Sequence, residues 1–392
     1  MKKLFLPALF AAAFIACSSD GGATQASLSS ASTSTSSGTA EFVPVPVDYS
    51  AGRAMNARLG RGINLGNSWD SGDSTGAPDW FNFGFGVDLD DGWGNPIDDG
   101  DFKLLKDAGF NSIRLPVRWQ QNSNILTHEI NAERMAGVIQ DVNLAIEAGL
   151  AVIMDFHWYK EIEEAAKMYP TDPSLWAMHK EHFLALWAQV ASVFNNYPDS
   201  LLAFDIYNEP AMKAELMNDL LLSAYQVIRA AAPNKTIIFQ SNQMAKFHQI
   251  GELRLPQDGN IIFSGHYYEP YTFSHEGHGY KCVGDNSYAN TAKQDFTKYV
   301  ALATQYYPDV NGGHIPMNMG EFGIAAGSRS SCGSDGPSDL RWALWNKKTV
   351  AAAEEAGFSW HYWGFTKVGG FEAYDRENAK WYPGAREAFF QN

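Results

Sequence analysis

Glu209 closes an apolar run in FDIYNEPAMK, and Glu321 closes another in MNMGEF. An acid side chain at the end of a buried strand is either a polar plug or a reacting group held in a cleft. Two carboxyls facing each other across one cleft can divide the work of glycoside hydrolysis, one protonating the leaving oxygen while the other attacks the anomeric carbon. That division needs their pKa values pushed apart. Burial keeps the acid protonated, while hydrogen bonds and a nearby cation keep the attacking group ionised. Arg114, in SIRLPV, is the natural cation. Tyr268 could donate to Glu321, Asn208 could hold the sugar hydroxyl beside the reacting carbon, and Trp363 could form the floor under the ring.

Taken singly, each residue has a plainer reading. A Glu before Pro is a turn residue, a strand-end His is a satisfied hydrogen-bonder, and an Arg is a salt-bridge anchor. As a set they need one explanation, because Arg114, His157, Asn208 with Glu209, His266 with Tyr268, Glu321 and Trp363 all lie in or at the end of apolar runs.

Those runs are the elements that must position the chemistry. Strands are expected at Gly62 to Gly66, Ser112 to Val117, Ala151 to Phe156, Leu201 to Ile206, Thr236 to Gln240, Ile261 to His266, Pro316 to Phe322 and Phe358 to Gly364. Several are nearly continuous in apolar residues, as strands covered on both faces are. Helical spacing lies between them, in Val138, Val142 and Ile146, and in Phe183, Leu186, Trp187, Val190 and Phe194 behind the start signal Asp172-Pro173. The pattern predicts an α/β protein, a single (β/α)8 TIM barrel over residues 45–392, with a doubly wound open sheet as the competing closure. A barrel brings the carboxyl ends of all its strands to one rim, where distant residues become neighbours. Tyr268 to Asn290 reads as an elaborated loop.

The ordered set SIRLPV, DFHW, YNEP, HYYEP, GEFG and HYWGF resembles family 5 of the glycoside hydrolases, the retaining cellulase-type (β/α)8 enzymes. RGINLGNSWD, which contains Asn67 and Trp69, and DGWGNP resemble the start of bacterial endoglucanases in that family. The resemblance runs from Arg61 to the last strand. It implies Glu209 as general acid/base and Glu321 as nucleophile, supported by Arg114, His157, Asn208, His266, Tyr268 and Trp363, with Asn67 among the substrate contacts. It also implies no cofactor, net retention and carboxyl groups ~5 Å apart. Trp158, directly after His157, stands where many relatives carry another residue.

Trp69, Trp119 and Trp158 are candidate sugar platforms, since flat indole faces match the apolar faces of pyranose rings; Trp80 and Trp93 are weaker ones. The acidic stretch DLDDGWGNPIDDGD fails as an EF-hand, because Trp93 stands where the loop's glycine belongs and Asp99 where its bidentate glutamate belongs. His248, His275, His278 and His314 lack ligand spacing, so no metal is expected.

A formal net charge of −15 offers no basic face to displace counterions from a phosphate backbone, which excludes nucleic acid as a partner and suits a neutral polysaccharide. Lys2 and Lys3 followed by an apolar stretch ending at Cys17 read as an export signal over residues 1–17. FIAC resembles a bacterial lipobox, with Cys17 lipidated or the leader simply cleaved. Residues 18–44 open with a Ser/Thr/Gly-rich stretch and read as a flexible tether. The expected protein is an exported monomer, secreted or held at the cell envelope, touching a membrane only through that lipid. Cys282 and Cys332 form a candidate disulfide, with two isolated thiols as the alternative.

The expected activity is endo-hydrolysis of β-1,4-glucosidic bonds in cellulose or mixed-linkage β-glucan by double displacement. A β-mannanase or xyloglucanase of the same mechanism, a non-catalytic surface glycan-binding lipoprotein and a metal-dependent barrel hydrolase are the alternatives.

Overall fold

The computed structural model describes residues 43–71 and 94–390. Cys17, the export signal, Trp80, Trp93 and most of the tether lie outside the described residues. Eight parallel strands close on themselves: β1 (Arg61–Asn64), β2 (Ser112–Val117), β3 (Ala151–Phe156), β4 (Leu202–Asp205), β5 (Thr236–Gln240), β6 (Ile261–Tyr267), β7 (Met317–Phe322) and β8 (Ser359–Tyr362). The pairing of β8 with β1 decides between the two closures in favour of the (β/α)8 barrel. Strand ends shift from the expected positions by a residue or two.

Helices between the strands start where their caps dictate. Asn131 accepts from the backbone N–H groups of Glu133 and Arg134 ahead of the helix Ala132–Glu147, and Asp172 does the same for Ser174 and Leu175 ahead of Pro173–Phe194. Each cap satisfies donors that the helix leaves open and is worth about 1 kcal/mol. The predicted stripe Phe183, Leu186, Trp187, Val190 and Phe194 is wholly buried.

Inside the barrel, residues two apart share a face. Ala151, Ile153, Ala203, Ile238 and Ile262 pack on Met55 and Leu59 of the helix Ser50–Leu59. One alternation further on, β3, β4 and β5 present Asp155, Asp205 and Gln240. The barrel therefore has an apolar floor and a polar layer toward the carboxyl ends of its strands.

Strand β7 breaks this alternation. Gly265 pairs with Met319 but His266 pairs with Glu321, so Gly320 is an extra residue, a bulge. Asn318 and Glu321 are an odd number of positions apart, and the bulge lets both reach interior partners: Asn318 accepts from Ser264, and Glu321 meets Arg114. Gly320 has no room for more, since a Cβ there would lie 2.7 Å from Ser264 Oγ.

The loop after β6 is joined to the loop after β7 by the Cys282–Cys332 disulfide, with Cα atoms 5.6 Å apart.

Candidate active site

Arg114 stands in the middle of β2 and is fully buried. Its guanidinium donates to Glu321 Oε1 at 2.9 Å, Asn64 Oδ1 at 3.0 Å, Asn208 Oδ1 at 2.6 Å and Asp205 Oδ2 at 3.3 Å, and lies 3.1 Å from Asp155 Oδ2. Burial alone would loosen its proton, but Asp155, Asp205 and Glu321 outweigh that and hold it more firmly than water does. Asp205 in turn is pushed up to about 7 by burial and by the charge of Asp155, against the pull of Arg114.

Glu321 receives two donors, Arg114 on Oε1 and the Tyr268 hydroxyl on Oε2 at 2.9 Å. A fixed cation and a fixed O–H stabilise the carboxylate form, the state a nucleophile needs. Burial raises the Tyr268 phenol well above its ordinary value, and Glu321 and Glu209 add to that, so it stays a donor.

Glu209 is held differently. Its backbone is left-handed, with φ 52°, and its N–H donates to Gln240 Oε1 at 2.9 Å. Its Oε1 lies 2.7 Å from His266 Nδ1. Burial pushes its carboxyl up to about 7, against the opposing charges of His157, Arg114 and Lys246. Burial also pushes His266 down to about 4, so the ring facing both glutamates is neutral at pH 7. Burial thus favours a proton on Glu209, while Glu321 lies against a cation and a hydroxyl donor, the unequal surroundings that acid/nucleophile chemistry demands.

His157 bonds Asp155 Oδ2 through Nδ1 at 2.7 Å and lies parallel to the Trp363 ring, centroids 5.8 Å apart. Burial lowers its affinity for a proton, but Asp155, Asp70 and Glu321 more than reverse this. Trp363 can sit where it does because Gly66 faces its ring; a Cβ on Gly66 would come within 2.4 Å of the indole. Two adjoining cavities of about 470 and 220 Å³ open over this floor. Both are lined by His157, Asn208, Glu209, Met244 and Trp363, and Glu321 lines the smaller.

Two of the three favoured aromatic platforms are corrected. Trp69 is 4% exposed, with its indole N–H on Asp141 Oδ2 at 2.6 Å and the Arg134 guanidinium 5.5 Å from its ring, so it packs the wall behind the cleft. Trp119 is completely buried. Neither can meet a sugar. Trp158 is 38% exposed, lines the larger cavity and rests on Arg118, 4.6 Å from its ring. Asn67 lines the same cavity and donates to the Lys367 carbonyl at 3.0 Å. The acidic stretch is described only in part, and there Asp98 pairs with Arg376.

Sequence reasoning missed Asn64, Asp155, Asp205 and Gln240, which hold Arg114, His157 and Glu209 in place. The signal was a charged or amide residue inside runs such as VIMDF and LAFD. It also missed Asp70 and Met244 in the cavity walls. Glu209, His266 and Glu321 each offer one donor atom within 4.8 Å of the others, a spacing that could hold a metal ion. Arg114 and Tyr268 already donate to Glu321, and His266 Nδ1 already bonds Glu209 Oε1.

Residues 73–368 match the family model described as cellulase, glycosyl hydrolase family 5. Endoglucanase H of Acetivibrio thermocellus is 25% identical over 79% of this chain and 30% of its own length. A xyloglucan-specific endo-β-1,4-glucanase of Bacteroides ovatus is 26% identical over 56% of this chain and 45% of its own. The chain thus spans less than half the length of these two curated relatives. Among solved structures, Thermotoga maritima Cel5A in complex with cellobiose is 28% identical, with a TM-score of 0.71, over 86% of this chain and all of that one.

Proposed function

Because this chain belongs to glycosyl hydrolase family 5, the cellulase family, we propose that it is an endo-acting, retaining hydrolase of β-1,4-glucans. The observation that carries this reading is the approach of Glu209 and Glu321, with carboxylate oxygens within 4.8 Å of each other. That spacing suits direct attack on the anomeric carbon and is too short for an intervening water, which needs about 6.5–9.5 Å.

Glu321, ionised beside Arg114 and Tyr268, attacks the anomeric carbon while Glu209 gives its proton to the leaving oxygen. A covalent glycosyl-enzyme forms; Glu209, now ionised, takes a proton from water, which displaces Glu321 and releases a sugar of the original configuration. Asn208, oriented by Arg114, holds the neighbouring hydroxyl, and Trp363 carries the ring. The substrate is a neutral β-glucan, in keeping with the acidic chain. The relatives named as endoglucanases and as a xyloglucan-specific enzyme support a glucose backbone.

The test is reducing-sugar release from soluble β-glucan, xyloglucan and mannan by the wild type, Glu209→Gln and Glu321→Gln. Either substitution should cost roughly 10³-fold or more with the fold intact. A variant with near-wild-type turnover would remove the assignment. Export, with lipidation at Cys17, belongs to the same proposal. The Cys282–Cys332 bond supports an oxidising compartment, and loss of membrane association in Cys17→Ser would test the anchor.

A further inference from the structure

Four of the five residues common to both cavities, His157, Asn208, Glu209 and Trp363, belong to the chemistry above. The fifth is Met244, 49% exposed at the point where the cavities meet. It is held there by an unusual backbone. Gln243, Met244 and Ala245 have φ of 55°, 62° and 56°, a run of three non-glycine residues in a region that L-residues normally visit singly. Such a conformation persists only where its surroundings over-determine it.

Those surroundings tie the turn to the segment that follows Glu209. The Met244 N–H donates to the Pro210 carbonyl at 3.2 Å, and Asn242 Oδ1 accepts from Gln243 N at 2.9 Å and from Met212 N at 3.3 Å. Ser241 Oγ donates to the Lys246 carbonyl at 2.7 Å and closes the far end, while Ala245 is wholly buried beneath. The position of Met244 is therefore coupled to that of the acid. Other methionines of the chain are as exposed, but Met244 alone of them lines both cavities, on a strained backbone tied to the segment that carries the acid, and is so placed to touch a ligand.

Resting on the hydrolase reading, we propose that Met244 is the seat of the leaving sugar. Glu209 protonates the leaving oxygen, so the departing unit lies on the Glu209 side of the reacting carbon, where Met244 stands. Its unbranched, polarisable stem would pack on the C–H face of a β-linked pyranose.

The experiment compares two substrates, a β-1,4-linked glucose tetrasaccharide and β-cellobiosyl fluoride, whose fluoride leaves without touching a sugar seat. Met244→Ala should lose about 10-fold in kcat/KM on the tetrasaccharide relative to its change on the fluoride, and Met244→Leu should recover most of that ratio. Equal losses on both substrates, or no loss on the tetrasaccharide, would overturn the assignment while leaving the hydrolase reading intact. A wild type inactive on both would overturn the hydrolase reading and this assignment with it.

Discussion

Glu209 and Glu321 converge on a single ring nitrogen: His266 Nδ1 lies 2.7 Å from Oε1 of the first and 3.5 Å from Oε2 of the second. Strand β6 thus supplies the bridge between the proposed acid, carried after β4, and the proposed nucleophile, carried on β7. The bulge at Gly320 makes that bridge reachable.

The alkaline limb of the pH profile should report Glu209. Its carboxyl is pushed up to about 7, so above that pH the proton needed by the leaving oxygen is gone and kcat/KM falls. The same shift acts on stability. Between the ordinary glutamate value and about 7 the folded protein binds a proton that the unfolded chain does not, so this residue costs progressively more stability as pH rises through that window. Glu209→Gln should raise the melting temperature more at pH 8 than at pH 5; an equal shift at both would contradict the buried-acid account.

Replacing Arg114 by Met should be severe twice over. It removes the buried cation that Asp155, Asp205 and Glu321 share and leaves each carboxyl with only its weaker partner, which should cost about 3–5 kcal/mol of stability, read by denaturant titration. It also frees Asn208 and the nucleophile, so kcat should fall further than the lost folded fraction explains.

Trp69 and Trp158 should separate by readout. Trp69→Ala opens a cavity and breaks the bond to Asp141, costing about 3–5 kcal/mol. Trp158→Ala loses the stacking on Arg118 and the indole hydrogen bond to Glu163, should cost less than Trp69→Ala, about 1–2 kcal/mol, and should raise KM for long substrates.

How far the sequence reveals this molecule depends on where each signal resides. The strands are legible because a strand covered on both faces must be largely apolar, and the polar residues gathered at the rim are legible because they stand out where such runs close. The bulge is not, since Gly320 in MGEF reads as ordinary strand until Asn318 and Glu321 are both seen to need interior partners. Trp69 misleads because aromaticity does not encode exposure: its partner Asp141 comes from a helix 72 residues away. The turn at Met244 carries no glycine, so nothing announces its left-handed backbone.

The disulfide should matter to the loops beside the cleft. Cys282 and Cys332 enclose a separation of 50 residues, and loop closure of that length stabilises by up to about 4 kcal/mol. Cys332→Ser, or reduction of the wild type, should lower the melting temperature; an unchanged midpoint would show that the bond does not constrain the unfolded chain.

The central claim is direct attack by Glu321 on the anomeric carbon, and proton NMR of the first product formed from a β-linked oligosaccharide tests it most directly. Double displacement predicts that the newly released reducing end appears as the β-anomer and only later mutarotates. Initial appearance of the α-anomer would mean that water, not Glu321, had attacked.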